Sequence, residues 1–410
     1  MSWPLDRTLS AGAAWWLALA VWAAVLCAIF ISKVVEPRRH TIYPILASAG
    51  REWEQGFDPY QWSPEKSDLD KYRYAPVVTV AMAPLARLPD WLGGTLWHAL
   101  NAAVFLIGVV TFAREVWPGA AALSKRTSAL LAFLLLPLSV PSLNNGQPNA
   151  LVIGCLLFGA AAVVRARWNL AAASLAVPVL FKVYPIAVVL LIALAQPRRL
   201  GWRVALAVGV GLLLPFACQQ HEFVAQAYGS WIDQVASDTR RDVAPEFGYR
   251  DFFGLARVLG FTFSTHVYEL VQLATALLLA GTVVRGRQLG WKTNRLVRIA
   301  VDLGCCWVIL FGPATESCTY TQLAPTLAFA ALEAWQDARN TRSRWLIVCV
   351  LAAFAASLLG VWSPFGRPIS SVCLPAGALL LFGERLSRIY WPSVRTGTNK
   401  STLEWFSQTA

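Results

Sequence analysis

The chain has 410 residues, of which 57% are hydrophobic and only 14% charged, and its mean hydropathy is +0.51. A soluble globular domain carries about 25% charged residues, so a water-soluble fold, a disordered chain, a collagen and a small disulfide scaffold are all excluded. In such a chain the net charge of +12 reports membrane topology rather than nucleic-acid binding.

A transmembrane helix needs roughly 17–25 mostly apolar residues. Twelve runs approach that size, near 12–32, 93–113, 128–142, 147–164, 168–181, 185–197, 201–217, 264–284, 296–311, 319–336, 343–361 and 372–384. The first is longer than a signal-peptide core and shows no small-residue cleavage site, so it is expected to be a retained anchor. The stretch 168–197 is short and proline-broken. Residues 75–90 (APVVTVAMAPLARLPD) are apolar but too short and proline-rich for a secure span. They read either as a broken or re-entrant helix, which membrane depth tolerates only inside protein or along a cavity, or as a short span. The expected fold class is an all-α polytopic membrane protein.

Lys and Arg set the orientation. The loops assigned to the cytoplasm hold 21 of them and 7 acids, a balance of +14; the outer side holds 14 and 16, a balance of −2. The asymmetry accounts for the whole net charge and places both termini in the cytoplasm. A bacterial-type inner (plasma) membrane suffices for this pattern, and an endoplasmic reticulum membrane would give the same signs. Two outer segments are long, about 33–74 and 218–260, and the second is rich in aromatics. Short amphipathic helices on the membrane face are expected in them. Residues 1–390 read as one integral-membrane domain and 391–410 as a polar cytoplasmic tail. The eight Cys and four His show no ligand spacing, so neither a metal nor a cofactor is implied. No Gly-rich phosphate loop is present.

Polar groups inside a bilayer are costly and therefore informative. Four places stand out. In PSLNNGQPNALVIG, Asn144, Asn145, Gln147 and Asn149 crowd around Gly146 and Pro148; they read as a turn with an asparagine helix cap, as donors and acceptors for hydroxyls or a phosphate, or as both. In VPVLFKVYPIAVVL, Lys182 stands alone in an apolar stretch beside Tyr184 and Pro185. It reads as a snorkelling anchor or as a phosphate ligand. In LFGPATESCTYTQLAP, Glu316 is flanked by Thr315, Ser317, Thr319, Tyr320 and Gln322; it is either paired with a loop arginine or part of a site. The first outer loop holds seven acids, Glu36, Glu52, Glu54, Asp58, Glu65, Asp68 and Asp70. Asp58 differs from the others because Gly56, Phe57, Pro59 and Tyr60 build a turn around it.

The order of these features resembles glycosyltransferase family 87, polytopic GT-C enzymes that include polyprenol-phosphate-mannose-dependent mannosyltransferases. The resemblance rests on Tyr43, Ala49, Gly50, Gly56, Asp58, Pro59 and Tyr60; on Tyr72, Tyr74 and Pro76; on Asn145, Gly146, Gln147 and Asn149; and on Lys182, Pro185 and Glu316. It implies a GT-C-like bundle of about twelve transmembrane helices with a long first outer loop. It implies an inverting transfer of a hexose, mannose above all, from a polyprenyl-phosphate sugar donor to a lipid or glycan acceptor outside the cytoplasm. Many relatives carry an acid a few residues before the tyrosine that matches Tyr43. Here that stretch is Arg38-Arg39-His40-Thr41-Ile42, and the nearest acid is Glu36. The base expected is Asp58, with Glu36 or His40 as alternatives. Lys182 and Gln147 are expected to hold the leaving phosphate, and Asn145, Asn149, Tyr74, Tyr184 and Glu316 to complete the substrate pocket. The partners implied are the lipid-linked donor, the acceptor and membrane lipids, with no nucleic acid. A transporter or flippase of lipid-linked sugars would use the same intramembrane polar residues but would favour internal repeats, which are not evident. A membrane assembly protein is the third reading.

Overall fold

The structure is a computed structural model. It describes residues 10–61, 71–117, 124–237, 248–261, 263–313, 315–337, 340–360 and 366–390. Glu65, Asp68, Asp70 and the tail 391–410 lie outside the described residues.

Among the described residues the fold is all-helical, without strands. All twelve apolar runs fall on helices. Among the described residues seven segments are long and apolar enough to cross a membrane: α1 (Ala11–Val35), α4 (Asp90–Val116), α5 (Lys125–Asn145), Pro197–Ala217 around α9 (Trp202–Leu213), α12 (Thr265–Gln288), and, within α15 (Thr341–Gly360) and α16 (Gly366–Tyr390), Thr341–Leu358 and Pro368–Tyr390. The apolar helices α6 (Asn149–Val164), α7 (Trp168–Phe181) and α8 (Ile186–Ala195) are shorter. The remaining two runs form α13 (Thr293–Phe311) and α14 (Ala324–Gln336), the latter continuing a 3₁₀ turn at Ser317–Leu323. Residues 76–86 form α3 (Pro76–Ala86), whose eleven residues reach only about 17 Å at 1.5 Å per residue. That is about half the hydrocarbon thickness. The long loops carry α2 (Tyr43–Glu54), α10 (His221–Ala236) and α11 (Phe252–Val258).

Close backbone contact holds the bundle together. A Cβ on Gly108 of α4 would meet the Gly154 carbonyl of α6 at 2.1 Å, so these two helices meet through glycine, as membrane helices do where small residues let backbones approach. α1 packs on α5, α6 on α7 and α15 on α16. A second apolar cluster unites the long loops: Tyr43, Leu46 and Trp53 of α2, Val78 and Met82 of α3, Trp97 of α4, and Val224 and Ala227 of α10.

The sequence reading assigned Arg298, Arg385 and Arg388 to basic loops. All three lie on helices, and the first two are buried. Arg298 binds Asp302 at 2.7 Å and Glu333 at 3.0 Å. Arg385 binds Glu333 at 2.6 Å and Glu384 at 2.5 Å. Arg388 and Ser343 both close on the other Glu384 oxygen. This network joins α13, α14, α15 and α16 at one end of the bundle. At their other end lie the turns that carry Glu316, Gln147 and Lys182.

Candidate active site

Three backbone interruptions create the site. α5 ends at Gly146, whose φ of +69° is a left-handed cap, and Pro148 opens α6, so Gln147 alone bridges the two helices. α7 stops at Lys182, which is extended (φ −146°, ψ 136°), because Pro185 forbids continuation. α13 stops at Phe311, and Glu316 then caps the 3₁₀ turn. No asparagine caps α6: its cap is Pro148, and Asn149 spends its amide elsewhere. The 145–149 turn is braced from outside. Ile42 N–H donates to the Asn145 carbonyl at 2.9 Å, Trp97 Nε1 to the Gly146 carbonyl at 2.7 Å, and Leu151 N–H to Asn101 Oδ1 at 3.3 Å.

These turns meet in one hydrogen-bonded relay. Lys182 Nζ donates to Asn149 Oδ1 at 2.8 Å, and Tyr184 OH donates to the same oxygen at 3.1 Å. Asn149 Nδ2 donates to Gln147 Oε1 at 2.8 Å, and Gln147 Nε2 to Glu316 Oε2 at 2.8 Å. Gln322 Nε2 donates to Tyr184 OH at 2.9 Å. The direction is dictated by the ends. An ammonium only donates and a carboxylate only accepts, so each amide between them has one orientation. Glu316 also accepts from the Thr319 backbone, while Thr319 Oγ1 accepts from Glu316 N–H at 3.2 Å. Lys182 and Glu316 are both half-buried.

Tyr74 reaches this cluster from the first long loop. Burial, with the Glu316 carboxylate and Tyr184 nearby, pushes its phenol well above the ordinary value. It therefore stays a neutral hydroxyl. Tyr72 stands between Tyr60 and Tyr74, with ring centroids 5.5 and 5.6 Å away. Tyr60 OH donates to the Tyr74 carbonyl at 2.6 Å.

Asp58 lies at the other end of this tyrosine ladder. Its Oδ1 accepts the Tyr60 amide at 3.0 Å, and its Oδ2 accepts Ser230 Oγ of α10 at 2.6 Å. Gly56, at φ +76°, turns the chain into this loop. Glu36 and His40 sit elsewhere. Glu36 is exposed and bound to Arg39 at 2.9 Å, and the carbonyls of Arg39 and His40 accept from Lys33 Nζ at 2.8 and 3.4 Å. Together with Asn144 these residues line a separate cleft of about 530 Å³ at the end of α1. The Asn145 side chain keeps a buried Oδ1 without a hydrogen-bond partner among the described residues. No group of three His, Cys, Asp or Glu side chains gathers among the described residues to hold a metal.

The model of glycosyltransferase family 87 matches residues 72–313, well over half of the chain. The chain belongs to this family. It is thus a glycosyltransferase with membrane-crossing helices, whose sugar donor and acceptor meet in a membrane setting. No curated protein matches it. The matched stretch contains Tyr72, Tyr74, the amide turn and Lys182. Asp58 precedes it and Glu316 follows it, and the relay and the ladder tie both to the family 87 segment.

Nothing in the sequence pattern singles out Ser230, Arg250 or Asp251. Arg250 N–H donates to the Thr315 carbonyl at 2.7 Å, and Tyr320 OH donates to the Arg250 carbonyl at 2.7 Å, which pins the second long loop beside Glu316. The run YRDFFG, charged residues among aromatics, is the signal that could have marked it.

Proposed function

We propose that this family 87 enzyme transfers a hexose, mannose in the first instance, from a polyprenyl-phosphate donor to an acceptor hydroxyl on the extracytoplasmic side. The relay from Lys182 to Glu316 is the observation that carries this reading. It puts a cation, two oriented amides and a carboxylate in one place, which is what a phosphate-linked sugar needs.

Depth supports a lipid-borne donor. α7 has fourteen residues and α8 ten, about 21 and 15 Å at 1.5 Å per residue. A hydrocarbon core is about 30 Å thick. Helices this short, if they rise from the basic face, would end inside the membrane and open the Lys182 turn to a donor that is itself held in the lipid.

In the proposed reaction the acceptor oxygen attacks the anomeric carbon on the face opposite the phosphate. Asp58 takes the acceptor proton. The bond from carbon to phosphate oxygen breaks, the electron pair leaves with the polyprenyl phosphate, and the configuration inverts. Lys182, with the second amide proton of Gln147, stabilises the charge that develops on the leaving phosphate. Asn149 holds Lys182 and Tyr184 in register. Tyr74 and Glu316 face the sugar hydroxyls, the first as donor and the second as acceptor.

The direct test is purified protein incubated with radiolabelled polyprenyl-phosphate hexoses and a cell-envelope lipid extract, followed by product analysis. Asp58→Asn is expected to bind the donor and lose turnover by at least about 10²-fold. Normal turnover in that variant would remove Asp58 from its role.

A further inference from the structure

We propose that Ser230, on the helix of the second long loop, is a positioning residue for the Asp58 carboxylate. The inference rests on the reading of Asp58 as the base.

The two carboxylate oxygens are held differently. Oδ1 accepts the amide of Tyr60, a bond inside its own five-residue turn. Such a bond shapes the loop but leaves the loop free to move as a unit. Oδ2 accepts Ser230 Oγ at 2.6 Å, from a residue 172 positions along the chain. A hydroxyl donating to a carboxylate at this distance is charge-assisted and about twice as strong as a neutral pair. It fixes the carboxylate plane relative to a second element.

That element is itself anchored. The α10 residues Val224 and Ala227 are fully buried in the cluster that contains Trp53, Tyr60 and Tyr72. Trp231, next to Ser230, donates Nε1 to the Arg73 carbonyl at 3.2 Å, one residue before Tyr74. Gln219 Nε2 donates to the Trp53 carbonyl at 2.8 Å, and Tyr228 OH to the Leu212 carbonyl at 2.6 Å. Ser230 is therefore a donor held at both flanks, and Trp231 aligns it with the backbone that carries Tyr74. With one bond on each oxygen, the carboxylate keeps lone-pair directions open for an acceptor proton. The base and the sugar pocket then share one frame, built from both long loops.

The experiment uses full-length protein in detergent, a panel of polyprenyl-phosphate hexoses including mannose, and the envelope lipid extract as acceptor. Ser230→Ala is expected to lower kcat about tenfold with the donor KM unchanged, and Ser230→Thr to restore it. Ser230→Cys keeps the size but offers only a weak donor, so it is expected to melt like wild type and turn over like the alanine variant. In the Asp58→Ala background, Ser230→Ala is expected to cause no further loss. Wild-type kcat in the alanine and cysteine variants would overturn the proposal, as would a loss that adds in full to that of Asp58→Ala. If Asp58→Asn keeps its turnover, or wild type is inert toward the whole panel, the base reading beneath it fails instead.

Discussion

A lysine and a glutamate at the two ends of a chain of amides make the smallest unit of this site, and its behaviour follows from donor counting. Lys182 can only donate, so Asn149 must turn its oxygen toward it and its nitrogen toward Gln147, which then faces Glu316 with nitrogen. Replacing Lys182 with Met removes both the charge and the element that sets this polarity. Turnover is expected to fall about 10²–10³-fold, the usual loss on removing a charge stabiliser, in a protein that still runs as a folded species on size exclusion. Glu316→Gln should be milder, about tenfold, because the new amide oxygen can still accept from Gln147 and the Thr319 backbone. Glu316→Ala also removes the cap, and is expected to lower stability by about 1 kcal/mol, read as a lower Tm. Lys182, Gln147 and Asn149 were legible in the sequence because each is an anomaly in an apolar run. Ser230 was not, since a serine on an amphipathic helix breaks no pattern; only the fold gives it Asp58 as a partner.

At the scale of elements, the apolar runs announced the helices, and proline and glycine announced where they break. What the runs could not reveal was which breaks meet. Gly146 shows the constraint. Its φ is +69°, and a Cβ there would lie 2.8 Å from the His98 ring and 2.9 Å from Thr41 Oγ1. Gly146→Ala therefore combines left-handed strain of about 1–2 kcal/mol with a clash against two elements. A fall in Tm and a loss of turnover through the displaced Gln147 are expected together. Helix α2 offers a pH test. Tyr43 OH donates to the Leu85 carbonyl at 2.8 Å, and burial, with help from the Asp90 carboxylate, pushes its phenol up to about 12. A value raised on folding means that the neutral phenol is the stabilising form. Its contribution is whole below the unfolded value of about 10 and disappears as pH rises through about 12. Wild type should lose more Tm than Tyr43→Phe between pH 9 and pH 11.5, because the phenylalanine variant has nothing there to ionise.

For the whole molecule, the question is how many helices cross. The seven segments that meet the length and polarity needed for a span would put the two ends of the chain on opposite sides. The charge asymmetry expected from the sequence would put them on the same side and so calls for an even count, although Arg298, Arg385 and Arg388 drop out of it as helix residues paired with carboxylates. The five omitted helices are the ones with a structural reason to look weak. α6, α7 and α8 are short because each begins or ends at a turn of the site, and α14 is shortened by its 3₁₀ turn. α13 carries Arg298 and Asp302, which near the end of an apolar run look like loop charges until their partners on α14 and α16 are seen. Breaking this network by Arg385→Ala leaves Glu333 and Glu384 short of a cation. It should cost about 3–5 kcal/mol, measured as a marked fall in Tm. Arg–Trp contacts cluster around the same face: Arg199 on Trp168 at 5.5 Å, Arg203 on Trp202 at 4.3 Å and Arg295 on Trp291 at 3.9 Å. Tryptophan and arginine gather where a basic helix end meets the lipid boundary, so all twelve helices are expected to cross with this face in the cytoplasm. A fluorescent protein fused after residue 390 should then glow, and an alkaline phosphatase fused there should stay inactive. The same phosphatase inserted after Ser237 in the second long loop should be active. The opposite pattern at both positions would turn the site toward the cytoplasm and leave a lipid-linked donor on the wrong side of the membrane.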